Sequence, residues 1–273
     1  MSTLPFLGAA LPSNFLAQYA DWLKENQRDL EIQDPIMPEV LDGDWRSLVQ
    51  NIKSMLDGYT GRMGVHGPFL SLTLIGYDPK IRQVVVDRLS QSLDICAELG
   101  ATHMVVHSPI EFFGTPFLPN RPDFGHPFES QLIAETLMPI VAKAEQIGCK
   151  LVIENIWDRH PHIWAGLIRS FASEYVCASV DTGHAFIQYA THQAPPVDYW
   201  MLEAGDKLEH LHLQDTDGYS DRHWAPGEGD LNWHAIFAAL RELKQSPRLI
   251  LELADYNAIP RAVSYLNGLG LAQ

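Results

Sequence analysis

LEHLHLQD, residues 208–215, decides the fold. Alternate positions carry leucine and polar or ionisable groups, the period-two pattern of a β-strand with two unlike faces. His210 and His212 share one face, separated by Leu211. The run then passes into DTDGYSDRHWAPGEGD, so that residues 210–230 hold three histidines, four aspartates and a glutamate. Seven other short apolar runs resemble it: residues 5–11, 29–34, 61–69, 102–109, 150–156, 175–184 and 248–255. Longer segments of helical period separate most of them. Ser13 is placed to cap a first helix towards Gln27 with Phe15, Tyr19 and Leu23 on one face, and Asp44 a helix over residues 45–56. Residues 79–99 put Ile81, Val84, Val85, Leu89, Leu93 and Ala97 on one stripe, with Gly100 at the C-terminal end. Residues 129–147 end likewise at Gly148, and further helices are expected near 161–172, 232–245 and 257–267. After Asp181 the pattern is less regular and is interrupted by Pro195-Pro196. Eight β-then-α units without a linker or composition break describe one parallel, closed (β/α)8 TIM barrel over residues 1–273. The open, doubly wound alternative usually carries a Gly-rich phosphate loop after its first strand, where this chain has GAALPSN.

Bulk properties narrow the function. Of 273 residues, 19 are Lys or Arg and 34 Asp or Glu, a net charge of −15 that repels a phosphate backbone, and no basic cluster offsets it. Nucleic acid is therefore not the expected partner. No apolar run approaches the roughly 18–20 residues of a membrane helix, and the N-terminus lacks the basic region of a secretion signal. Cys96, Cys149 and Cys177 lie far apart and are read as buried thiols of a cytoplasmic protein. A homo-oligomer is compatible with all of this.

In a barrel enzyme the site is built at the C-terminal strand ends. Read there in order are Glu31 and Asp34, His66, His107, Glu154, Asp181 and His184, His212 and Asp215, and Glu252. One such histidine is ordinarily a packed core residue, but acids and imidazoles at so many strand ends converge on a single mouth. Carboxylates that close repel one another unless a cation neutralises them, so a divalent metal is expected. His210 and His103 lie a layer deeper and read as structural. His160 and His162 read as loop or helix-start residues, and His126, His192 and His234 receive no role. Asp217 and Glu228 read as solvated loop acids, with Asp230 or Asn232 capping the helix that follows. Phe69, Phe112, Phe113, Trp157 and Trp224 are candidate apolar walls.

VHGPF (65–69), VVHSP (105–109), VIEN (152–155), SVDTGHAF (179–186), HLHLQD (210–215), HWAPGEGDLNW (223–233) and LILEL (249–253) together resemble the xylose isomerase-like sugar isomerase and epimerase barrels. Endonuclease IV belongs to the same superfamily. The resemblance implies that Glu154, Asp181, His212 and Glu252 hold one divalent metal. Mn²⁺, Mg²⁺ or Co²⁺ suits so oxygen-rich a set, and Zn²⁺ fits as well. It implies further that Glu154 and Glu252 exchange protons with a small sugar or polyol through an enediolate, with His184 against the substrate. The alternative is a multinuclear phosphoesterase of the endonuclease IV type. His66, His107, Glu154, Asp181, His184, His212, Asp221, His223 and Glu252 supply a residue of the right type for each of its ligands. Asp221 and His223 are thus either ligands of a second or third metal or, as we read them, substrate-binding residues on a loop over the mouth. Sugar epimerases carry an arginine near the His223 position, so its role stays open.

Overall fold

The computed structural model describes residues 4–109 and 127–273, with side chains of 127–130 left aside. Phe112, Phe113 and His126 lie outside the described residues. Eight parallel strands close in chain order, β1 (Gly8–Leu11), β2 (Leu30–Ile32), β3 (Met63–His66), β4 (His103–His107), β5 (Lys150–Glu154), β6 (Val176–Asp181), β7 (Leu208–Leu213) and β8 (Arg248–Leu251), with β8 paired to β1. All eight expected runs are strands. The helices are α1 (Leu16–Glu25), α2 (Pro38–Asp42), α3 (Trp45–Met55), α4 (Pro79–Leu99), α5 (Pro127–Ile147), α6 (Pro161–Ser170), α7 (Thr182–His192), α8 (Val197–Ala204), α9 (Trp233–Glu242) and α10 (Ile259–Gly268). They pack outside the barrel on one apolar layer. Trp164 of α6 and Trp200 of α8, both fully buried with ring centroids 5.8 Å apart, exemplify that layer. Burying a side chain of this size stabilises by roughly 1.5–3 kcal/mol or more. Among the described residues no helix is long and apolar enough to cross a membrane.

Local chemistry sets several helix ends. Asp44 caps α3 by accepting from the Ser47 N–H at 3.2 Å, and α4 stops at Gly100 in the left-handed region (φ 72°). Asn232, not Asp230, caps α9 by accepting from the Ala235 N–H at 3.1 Å. Ser13 does not cap α1. Its N–H and hydroxyl both donate to Asp34, at 2.7 and 2.5 Å, which fastens the β1 exit to the β2 exit. On α4 the buried stripe runs through Val85, Leu89, Ser92, Leu93, Cys96 and Leu99. Ile81, Val84 and Ala97, expected on it, are exposed. The irregular stretch after Asp181 is two helices, α7 and α8, divided at Pro195-Pro196 as the prolines require. The three cysteines are buried and free.

Side chains of every second strand residue enter the barrel in layers. Val105, Val152 and Cys177 form a small apolar cluster of their own, apart from the main core. Gly64 belongs to the next layer. A β-carbon there would stand 1.9 Å from the fully buried ring of His103, so the glycine is what admits that imidazole.

Candidate metal and active site

The mouth is assembled from the last inward residue of several strands. Glu154 ends β5, Asp181 ends β6, His212 stands near the end of β7, and Glu252 follows β8. One donor atom from each lies within 4.8 Å of the other three, and all four residues are buried. His212 is the hub: its Nδ1 is 2.9 Å from Glu154 Oε1 and 3.3 Å from Glu252 Oε2. Asp181 holds its own helix, accepting from the His184 N–H at 2.6 Å, while its N–H donates to Asn155 Oδ1 at 2.9 Å.

Of four further donor groups among the described residues, two draw on His107 and on Asp221 at the flanks of the mouth. His66, His107 and Glu154 form the first, and His184, Asp221 and His223 the second. Backbone carbonyls set the imidazoles. His66 Nδ1 lies 2.9 Å from the Gly67 carbonyl, His184 Nδ1 3.0 Å from that of Asn155, and His223 Nδ1 3.2 Å from that of Glu252. A carbonyl only accepts, so each Nδ1 carries a proton and each Nε2 is aimed at a carboxylate: His66 at Glu154 (3.8 Å), His184 and His223 at Asp221 Oδ2 (3.2 and 3.0 Å). His107 Nε2 approaches Glu154 Oε2 at 3.5 Å. His223 adopts φ 48°, a left-handed backbone uncommon for histidine. All nine residues expected at the mouth are therefore brought together.

Three strand-end acids are placed otherwise. Glu31 lies beneath the mouth, fully buried, with Oε1 2.9 Å from His212 Nε2. Asp34 serves Ser13. Asp215 faces away from the mouth and organises the loop that follows it. It accepts from the N–H groups of Thr216, Gly227 and Leu231 and from the Trp233 indole, at 3.0, 2.8, 3.2 and 3.1 Å. Of the acids read as solvated, Asp217 is paired with Arg222 at 2.9 Å and Glu228 with Arg261 at 2.6 Å. His210 lies in the deeper layer with Glu31, as expected. Gln33 and Gln214 are the polar residues the strand-end reading missed. Gln33 donates to Glu252 Oε1 at 3.1 Å. Gln214 donates to Asp181 Oδ1 and Asp221 Oδ1, at 3.2 and 2.7 Å, and accepts from the His223 N–H at 3.0 Å. A β-carbon on Gly183 would meet the Gln214 amide at 2.3 Å, which accounts for the glycine of DTGH.

The electrostatics are those of a site built around positive charge. Burial alone would raise the Glu154 carboxyl, but His212, His107 and His184 hold it well below the usual carboxylate range. Burial alone would lower His212, yet Glu252, Glu31 and Glu154 raise it well above the ordinary imidazole value. His184 is raised in the same way by Asp181, Asp221 and Glu154, and His223 to about 9 by Asp221 and Glu252. Asp181 is pushed up to about 6, chiefly by burial. Burial takes His107 down to about 3. Protons on imidazoles thus offset the carboxylates. Glu154 Oε2 and Asp181 Oδ2 nonetheless have no hydrogen-bond partner among the described residues. Orphaned, buried carboxylate oxygens beside an imidazole are the donor set of a divalent cation, and the residues fit one.

Cation and protons compete for the same lone pairs. His212 holds a proton well above its ordinary range, and Asp181 takes one up near pH 6. Acidification from pH 9 to 6 should therefore weaken Mn²⁺ binding, by about tenfold per pH unit for each proton displaced. Competition titrations across that range, in buffers of differing ionisation enthalpy, measure both affinity and protons released. An affinity independent of pH would mean that these groups are not the donors.

The mouth opens into a cavity of about 1020 Å³. His66, His107, Glu154, His184, Asp221, His223 and Glu252 line it, with Phe69, Trp157, Ile36 and Met37 among its apolar walls. Phe69 stacks on His107 with centroids 4.0 Å apart, and Trp157 is 52% exposed. Trp224 instead pairs by backbone with Asp215 and is not in the lining. Among the described residues no Lys or Arg reaches the lining.

Fold and site define a closed parallel barrel with an acid- and imidazole-rich mouth suited to a divalent metal. Residues 25–270 match the family described as xylose isomerase-like TIM barrel, and the chain belongs to it. Fructoselysine 3-epimerase of Escherichia coli O157:H7 is 27% identical over 199 residues, 68% of this chain and 63% of that enzyme, so the match spans under two thirds of its length. The TTHB071 protein of Thermus thermophilus, solved after soaking with ZnCl₂, is 29% identical with a TM-score of 0.75, covering 98% of this chain and 99% of that one. The Escherichia coli 3-keto-D-glucoside 4-epimerase shares the fold at 15% identity, TM-score 0.72, over 97% and 99% of the two chains.

Proposed function

We propose that the protein is a divalent-metal-dependent isomerase or epimerase of a small, uncharged sugar or related hydroxy-carbonyl compound. The observation that carries this reading is the pair Glu154 and Glu252. Two buried carboxylates meet at one imidazole nitrogen, at 2.9 and 3.3 Å, on the wall of a cavity that no Lys or Arg lines among the described residues. The sugar epimerase among its relatives supports the same class. Glu154, Asp181, His212 and Glu252 would hold the metal, which supplies Lewis-acid polarisation of a substrate carbonyl. The protein's own groups do the rest. One glutamate takes the proton from the carbon beside the carbonyl and the other returns one, general acid–base help of about 10²–10⁴-fold. The Gln33 amide holds Glu252 Oε1 in place. His184 and the Asp221–His223 pair stand where substrate hydroxyls enter, and the apolar walls exclude water from the reacting carbon.

The test is isotope exchange. Manganese-loaded protein is incubated in D₂O with a panel of neutral ketoses and keto-glycosides, and proton NMR follows the hydrogen beside the carbonyl. Exchange with inversion or carbonyl transposition is expected on at least one member. A second reading, a multinuclear phosphoesterase, is favoured by the two flanking donor groups, whose Nε2 atoms converge on Glu154 and Asp221. Elemental analysis separates the two. One metal per chain, retained when Asp221 and His223 are both replaced by alanine, accords with the isomerase. Three metals per chain, phosphate-ester hydrolysis and no exchange across the panel would overturn it.

A further inference from the structure

Beneath the mouth lies a polar layer that no step above uses. Glu31 enters the barrel from β2 at 0% exposure, among three fully buried imidazoles. His212 Nε2 is hydrogen-bonded to Glu31 Oε1 at 2.9 Å. His210 Nε2 and His103 Nε2 stand 3.1 and 3.6 Å from Oε2, within charge-pairing distance. Ser179 Oγ lies 2.8 Å from His210 Nδ1 and fixes that ring in turn. Gly64 leaves the space that the His103 ring fills. A buried carboxylate in such a place is costly unless it is paired, and here its partners are all imidazoles, one of them His212 of the mouth.

We infer that Glu31 is a positioning residue that decides which nitrogen of His212 faces the mouth as a free lone pair. The inference rests on the metal reading of the site. Two carboxylates, Glu154 and Glu252, stand at Nδ1 and draw a proton to it. A ring that kept its single proton there would point N–H, not a lone pair, at the space shared with Asp181. Glu31 is the counterweight. It accepts only, so the nitrogen beside it must donate; the one proton of a neutral His212 stays on Nε2, and Nδ1 is presented as a donor to a cation. The orienting carboxylate also makes Nδ1 more basic, which strengthens that donor.

The experiment compares the full-length wild type with Glu31→Gln, which keeps the shape and replaces the charged acceptor with a neutral amide. Mn²⁺ affinity is measured by competition titration, and ¹⁵N-histidine NMR on the Zn²⁺-loaded proteins reads the His212 tautomer. A loss in affinity of about 10–100-fold is expected in Glu31→Gln, with the spectrum of wild-type His212 showing the metal on Nδ1 and the proton on Nε2. Equal affinities would overturn the inference and leave the metal reading intact. Failure of wild type to bind either ion would overturn the metal reading and the inference with it. If Glu31→Gln does not fold, the wild-type spectrum decides alone: a proton on Nε2 supports the inference, and a metal-bound Nε2 with the proton on Nδ1 overturns it.

Discussion

Glu154→Gln should lower turnover by a factor of order 10² or more while the metal stays largely in place. Glutamine preserves the length of the side chain and one oxygen donor. It removes the basic carboxylate, whose Oε2 faces His107 at 3.5 Å and has no hydrogen-bond partner among the described residues. Asp181→Ala, in contrast, takes away a fully buried donor that also caps α7 through the His184 N–H. The site should then lose its metal outright. The two variants therefore separate a proton carrier from a ligand: metal content measured on purified protein falls in the second far more than in the first, and activity falls in both. Near-full turnover by Glu154→Gln, on whichever substrate the exchange screen finds, would remove Glu154 from the proton-transfer role.

Strand parity explains what of the site was legible in the residues and what was not. In β7 the leucines 211 and 213 face outward and His210 and His212 inward, and the same alternation carried one step further puts Gln214 inward and Asp215 outward. That is what is found: Gln214 bonds Asp181 and Asp221, whereas Asp215 turns away and gathers N–H groups of its own loop. Counting ionisable residues at strand ends chose Asp215 for its charge, where counting by twos would have chosen the uncharged glutamine. β2 repeats the lesson. Glu31 and Gln33 share a face, and Asp34 lies across from them, bonded to Ser13. Depth is the second quantity that strand-end position does not supply. Glu31 and His212 both belong to the inner face, but only the closed barrel stacks one beneath the other. Helix α7 was hidden for a related reason. Its cap and first turn hold Asp181, Gly183 and His184, residues that serve the mouth and contact with Gln214, so the amphipathic pattern that announced α4 is absent there.

Removing the metal should cost the fold about as much as any single buried contact in it. A ligand present at about 1,000 times its dissociation constant stabilises the state that binds it by roughly 4 kcal/mol. For a chain of this size that corresponds to a fall in melting temperature on the order of 10 °C on chelation. The direction follows from the buried groups. Glu154, Asp181 and His212 are 0–1% exposed and Glu252 only 7%. Without a cation their charges are balanced only by protons on His184, His212 and His223, which an unfolded chain would not hold at neutral pH. The fold therefore carries, in its metal-free form, a set of imidazolium–carboxylate contacts that are poorer partners than a divalent ion. Because raised imidazole values favour the folded state only below the pH at which those protons leave, metal-free protein should lose stability as pH rises towards about 9, the value His223 reaches. Metal-loaded protein should lose much less over the same interval, so the gap in melting temperature widens with pH. Differential scanning calorimetry with and without chelator at pH 6.5, 7.5 and 8.5, followed by readdition of Mn²⁺ or Co²⁺, measures this directly. Identical melting curves under all these conditions, in protein that elemental analysis finds free of metal, would leave the buried carboxylates of the mouth without the partner assigned to them.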